Sequence, residues 1–161
     1  MSAELPAGLA ELLELLSMLE RSERIDTLIS IAERFRDVPP EIAERPFSDE
    51  HKVPACESEA YAWARPRTDG TLDFVFAVEN PQGISAQAMA VILSEHLSGE
   101  TLERVAAVPG DVVYDIFGRE LSMGKSMGLM GMVSMVTASA KRALGGPMLA
   151  AAGASTLPAN S

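Results

Sequence analysis

Cysteine is nearly absent from this chain: Cys56 is the only one in 161 residues. A lone cysteine closes no internal disulfide, and a cluster-building scaffold needs about three or four ligands. Both roles are therefore excluded, and the missing disulfide framework fits a reducing compartment. Histidine is almost as scarce, with only His51 and His96, and no Cys-His-Asn arrangement of a thiol protease is recognisable. Basic residues are outnumbered, 13 Lys and Arg against 23 Asp and Glu, giving a formal net charge of -10. That balance argues against nucleic acid, because phosphate binding needs clustered Lys and Arg. Steering by charge would favour a basic patch on a partner protein.

Long apolar runs are missing too. The uncharged stretch Ser126 to Ala140 has 15 residues with Ser, Thr and Gly among them, short of the roughly 18 to 20 a spanning helix requires. The opening "MSAELPAGLAELLELLSMLE" is acidic and has no basic n-region of a signal peptide. A soluble, cytoplasmic protein with no membrane association is expected.

What is present supports one domain. A hydrophobic fraction of 47% and this length allow burial of about two-thirds of the unfolded surface. Residues 1–145 are expected to form that domain, and the Gly- and Pro-broken stretch 146–161 a mobile tail. Leu9, Leu12, Leu13, Leu16 and Leu19 recur at helical spacing. A second helix carries Ile25, Leu28, Ile29, Ala32 and Phe35 on one face, with Ser22 as its N-cap, and ends at Pro39-Pro40. Residues 38 to 55 read as a loop. After Cys56 the period changes to two: Tyr61, Trp63 and Arg65 alternate with alanines, and Leu72, Phe74, Phe76 and Val78 alternate likewise. Asp69-Gly70 between them suits a hairpin turn, and "NPQG" at 80–83 turns the chain into a helix carrying Ile84, Ala88, Val91 and Ile92. Shorter helical pieces follow, one capped by Thr101 and one within Pro109 to Gly118, and a last Met-rich helix spans about 126 to 144. Gly124 and Gly128, four apart, predict close packing there. Core packing is favoured over a Met-rich binding surface for this helix. The fold class is α+β, a small antiparallel sheet packed by helices from both ends of the chain.

Cys56 is either a small buried hydrophobe or a reactive group. Its position after Pro54, between a polar loop and a strand, suits display on a loop. Glu57 and Glu59 would disfavour the thiolate, while His51, Lys52 and, through the fold, Lys125 are the cations available to compensate. Such a thiol suits a carrier better than a catalyst.

The residues around it resemble the SufE family. "ACESEAY" at 55–61 resembles the family's Gly-Cys-Gln-Ser-Gln-x-Trp motif. Cys56 falls on its sulfur-accepting cysteine and Ser58 on its serine. Ala55 stands for the glycine, Glu57 and Glu59 for the glutamines, and Tyr61 for the tryptophan. "LSMGKSMGLMGMV" resembles the family's run into the final helix, with Lys125 at its arginine position and Gly128 and Leu129 matching directly. The resemblance covers roughly residues 9 to 144. It implies a SufE/IscU-like α+β fold and a sulfur acceptor that takes sulfane sulfur from a pyridoxal-phosphate cysteine desulfurase as a Cys56 persulfide. The sulfur would be relayed to an iron–sulfur scaffold and desulfurase turnover stimulated, with no cofactor or metal of the carrier's own. It further implies partner contacts through His51, Lys52, Glu57, Ser58, Glu59 and Tyr61, with Tyr61 and Trp63 sheltering the sulfur and Lys125 lending charge. A homodimer is allowed for. Alternatives are a non-catalytic adaptor that activates a desulfurase, which the glutamates beside the cysteine favour, and a donor to another sulfur-containing cofactor.

Overall fold

The computed structural model describes residues 4–145 in full and only the helical backbone from there to Asn160. The tail expected over 146–161 lies outside the fully described residues. Helix α1 (Ala7–Ser17) starts behind Pro6 and turns Leu9 and Leu16 inward. Helix α2 (Arg21–Ala32) starts two residues earlier than Ser22 as N-cap implied. Glu20 is its N-cap, in a capping box whose return bond runs from the Glu20 N–H to Glu23 Oε1 at 3.0 Å. Leu28, Ile31 and Ala32 are its buried stripe. Ile25 and Ile29, expected on that face, sit on its shoulder and are exposed, and Phe35 packs against the core from beyond the helix end.

The sheet is the expected hairpin. Strands β1 (Ala60–Pro66) and β2 (Leu72–Val78) pair antiparallel, with Tyr61 opposite Ala77, Ala62 opposite Phe76 and Trp63 opposite Val75. Gly70 takes φ 89° in the turn, where a side chain would be strained, and Asp69 Oδ1 accepts the Thr71 N–H at 3.0 Å. Because side chains alternate faces, the aromatic grouping is split. Phe74, Phe76, Val78, Ala60 and Ala62 face the main core. Tyr61, Trp63 and Ala77 face the other way, where Val38 and Phe47 of the 38–47 loop cover them. The Phe47 ring meets Trp63 edge-on at 5.0 Å. The sheet is thus wrapped on both faces, by helices on one and by a loop on the other.

Helix α3 (Ile84–Leu97) crosses the core face and is buried almost all round, from Ala86 to Leu97. Its first residue, Ile84, is exposed. Helix α4 (Leu102–Ala106) is capped by Thr101, whose Oγ1 accepts the Arg104 N–H at 3.3 Å. Helix α5 (Val112–Phe117) buries Val112, Val113 and Ile116. Helix α6 (Met123–Asn160) begins three residues before the expected start, behind Ser122, which accepts the Lys125 N–H at 3.3 Å. Leu129, Met132, Val133, Val136 and Ala140 point into the core, so the Met-rich run is core on one side. Among the described residues, no helix is long and apolar enough to cross a membrane.

Candidate functional site

The cysteine loop is short and tied at both ends. The buried Val53 donates its N–H to the Ala60 carbonyl at 2.8 Å, which fixes the way in. On the way out, the Glu79 N–H donates to the Glu59 carbonyl and the Asn80 N–H to the Ser58 carbonyl, both at 3.1 Å. Between these ties the Glu59 N–H closes a turn onto the Cys56 carbonyl at 3.0 Å. Ala55 and Glu59 bracket that turn with φ 57° and 53°. Both are left-handed values that cost a residue with a Cβ.

Cys56 is half-buried and packs on the edge of the main core. It opens into a cavity of about 250 Å³ lined also by Glu57, Ser58, Asn80, Gln82, Lys125 and Leu129. An anionic sulfur there would have one cation, Lys125, and one carboxylate, Glu57, as charged neighbours in the cavity wall. Three large apolar side chains stand exposed near the two ends of this site's framework, at the start of α3 and in the first turns of α6: Ile84 at 43%, Met123 at 76% and Met127 at 51%. Ile84 lines the cavity, whereas Met127 lines the groove on the other side of the cysteine loop. Exposed apolar groups favour contact with another protein over water.

The structure brings Cys56, Glu57, Ser58 and Lys125 together and leaves the other expected residues elsewhere. His51 lies in a 3₁₀ turn, with Nδ1 3.0 Å from the Ala62 carbonyl and its ring stacked on Trp63 at 5.1 Å. It faces a second groove of about 730 Å³, shared with Pro54, Ala55, Met127 and Met130, on the other side of the cysteine loop. Lys52 is exposed and pairs through its backbone with Tyr61. Neither cation lines the thiol cavity, so the expected compensation from His51 and Lys52 is not made there. Glu59 is exposed at the loop exit. Tyr61 is buried against Phe47, ring centroids 5.1 Å apart, and Trp63 lies beside it. The expected shelter from Tyr61 and Trp63 is corrected by the pleat, which turns both onto the face away from the core against which Cys56 packs. Leu129 and Ala86 supply the apolar wall instead. Asn80, Gln82 and Ser85 were not expected at the site. The turn signal "NPQG" was visible, but its approach to residue 56 depends on β2 pairing back onto Ser58 and Glu59.

Among the described residues, no group of three or more His, Cys, Asp or Glu side chains could hold a metal ion. What the cavity offers is a single thiol and one ammonium in a common wall, with Ile84, Ala86 and Leu129 as its apolar lining.

No curated protein matches this chain. Among solved structures, the solution structure of a hypothetical protein from Thermus thermophilus has the same fold. It matches with a TM-score of 0.67 at 24% identity, covering 87% of this chain and 98% of that one. A family model for SufE, described as an Fe-S metabolism associated domain, matches residues 10–140, and the chain therefore belongs to the SufE family.

Proposed function

We propose that this protein accepts sulfane sulfur from a cysteine desulfurase on Cys56 and relays it for iron–sulfur cluster assembly. The observation that carries the reading is the chain's only thiol, half-buried in a small cavity that Lys125 and the exposed Ile84 also line. In the transfer, the Cys56 thiolate attacks the outer sulfur of the desulfurase's cysteine persulfide. A new S–S bond forms on Cys56 as the partner's S–S bond breaks. The bonding pair leaves on the partner's cysteine sulfur, which takes up the proton Cys56 gave up. This is the displacement of thiol–disulfide exchange, with no net oxidation. Clearing the partner's persulfide frees that enzyme for another turnover, hence the stimulation. A scaffold thiolate, or a thiolate in another cofactor route, removes the sulfur by the same step.

A second reading, an adaptor that binds and activates the desulfurase without carrying sulfur, is favoured by one observation. Glu57 lines the thiol cavity and opposes an anionic sulfur there. Mass spectrometry after incubation with desulfurase and cysteine separates the two. The carrier gains one sulfur on Cys56, and Cys56→Ser, nearly isosteric, keeps its circular dichroism and partner binding while losing both sulfur acceptance and stimulation. A serine variant that stimulated the desulfurase fully would leave the adaptor standing and the carrier refuted.

A further inference from the structure

Segment 53–57 runs antiparallel along α6, and where it crosses the helix the helix has no side chain. A Cβ added at Gly128 would stand 2.9 Å from Cys56 Cα and 3.3 Å from the Ala55 carbonyl oxygen. At Gly131 it would stand 3.0 Å from the Pro54 carbonyl oxygen and from Val53 Cγ1, and at Gly124 2.7 Å from Glu57 Oε2. Gly124, Gly128 and Gly131 are spaced by four and three residues, so they lie on one face of α6. The Gly128 clash is with loop backbone, which cannot step aside by a rotamer change, whereas Gly131 is a tight contact and Gly124 meets only the flexible end of Glu57. The seated loop therefore requires glycine at 128. Against that fit stands the left-handed Ala55 at φ 57°, directly before the cysteine, a conformation alanine resists and glycine does not.

We propose that Gly128 and Ala55 are positioning residues for Cys56, acting in opposite directions. Gly128 holds the loop seated on α6 and the thiol turned into its cavity. The left-handed Ala55 biases the loop toward leaving that seat and presenting the sulfur. The balance of the two sets how often the thiol is offered, without changing its chemistry. The purpose of such a balance rests on the sulfur-acceptor reading, but its existence does not. It is read on the free protein, whereas sulfur acceptance is read with a desulfurase.

The experiment is the rate at which Cys56 in the folded, partner-free protein reacts with iodoacetamide. Gly128→Ala forces a methyl into the loop backbone and raises that rate on the order of tenfold. Ala55→Gly removes the strain, partly offset by the freedom glycine adds to the unseated loop, and lowers it roughly two- to fivefold. Gly110→Ala is the control, since a Cβ there meets nothing within 4 Å, and it leaves the rate unchanged. Access rather than acidity is altered, so each ratio to wild type stays the same across pH. Denaturant midpoints show that global unfolding does not contribute. A folded Gly128→Ala protein labelled at the wild-type rate overturns the proposal. So does an Ala55→Gly protein labelled as fast as wild type or faster, and this second arm decides the matter if the Gly128 variant does not fold.

Discussion

At the scale of single residues, Lys125 is the cation the fold delivers to the thiol. It lies far from Cys56 in sequence, yet both line one cavity. In the proposed transfer the attacking sulfur is anionic, so an ammonium nearby favours it and a carboxylate opposes it. Lys125 is exposed, which limits the effect through solvent screening. Lys125→Glu is expected to slow single-turnover sulfur acceptance by roughly two- to tenfold and to leave the circular dichroism unchanged. Lys125→Arg keeps the charge and should stay near the parent rate. Parent-like rates in the glutamate variant would make Lys125 a surface cation with no part in the transfer.

At the scale of elements, the contact between α1 and α3 carries a pH dependence. His96 is half-buried near the end of α3, close against α1: a Cβ at Gly8 would stand 2.7 Å from its Nδ1. Burial lowers the His96 pKa, and Arg34 lowers it further, while Glu95 and Glu11 oppose the shift. The folded value is therefore below the unfolded value of about 6.5. Once the pH drops below that, the unfolded chain binds more protons than the folded one, and stability falls toward the folded pKa. Glu95 is held below its ordinary value by its bond to Arg34 and then by their charge attraction, so its own loss begins only at more acidic pH. The denaturant midpoint should therefore drop as the pH goes from about 7 to about 5.5, and His96→Gln should flatten that stretch. Identical curves for parent and variant across this window would remove His96 as the cause.

At the scale of the whole molecule, the net charge of -10 sets how a partner is met. Attraction between exposed charges is screened beyond about 10 Å at 0.1 M salt, while burial of apolar surface is not. Desulfurase affinity is expected to weaken several-fold between about 0.05 M and 0.5 M salt without vanishing. A dissociation constant that did not move over this range would take electrostatic steering out of the encounter.

Much of this was legible in the residues alone. The period of two in "AYAWAR" and "LDFVFAV", with Asp69-Gly70 between them, gives the hairpin, because a pleated strand alternates its faces whatever surrounds it. Thr101 and the leucine spacing of α1 are equally local. Cys56 stands out because it has no second cysteine to pair with, which is a fact of composition. Where several non-local choices compete, the sequence does not decide. Either Ser22 or Glu20 can start α2, and packing selects the frame in which Leu28 and Ile31 go inward and Ile25 stays exposed. Alternation shows that Tyr61 and Trp63 share a face but not which face meets the helices, and the loop carrying Val38 and Phe47 settles that. Only the tertiary structure brings Lys125, Asn80 and the row Gly124, Gly128 and Gly131 to the cysteine loop, because spacing along a chain carries no information about contacts between distant segments. The proposed reactive atom was thus singled out by the sequence, and its surroundings were decided by the fold.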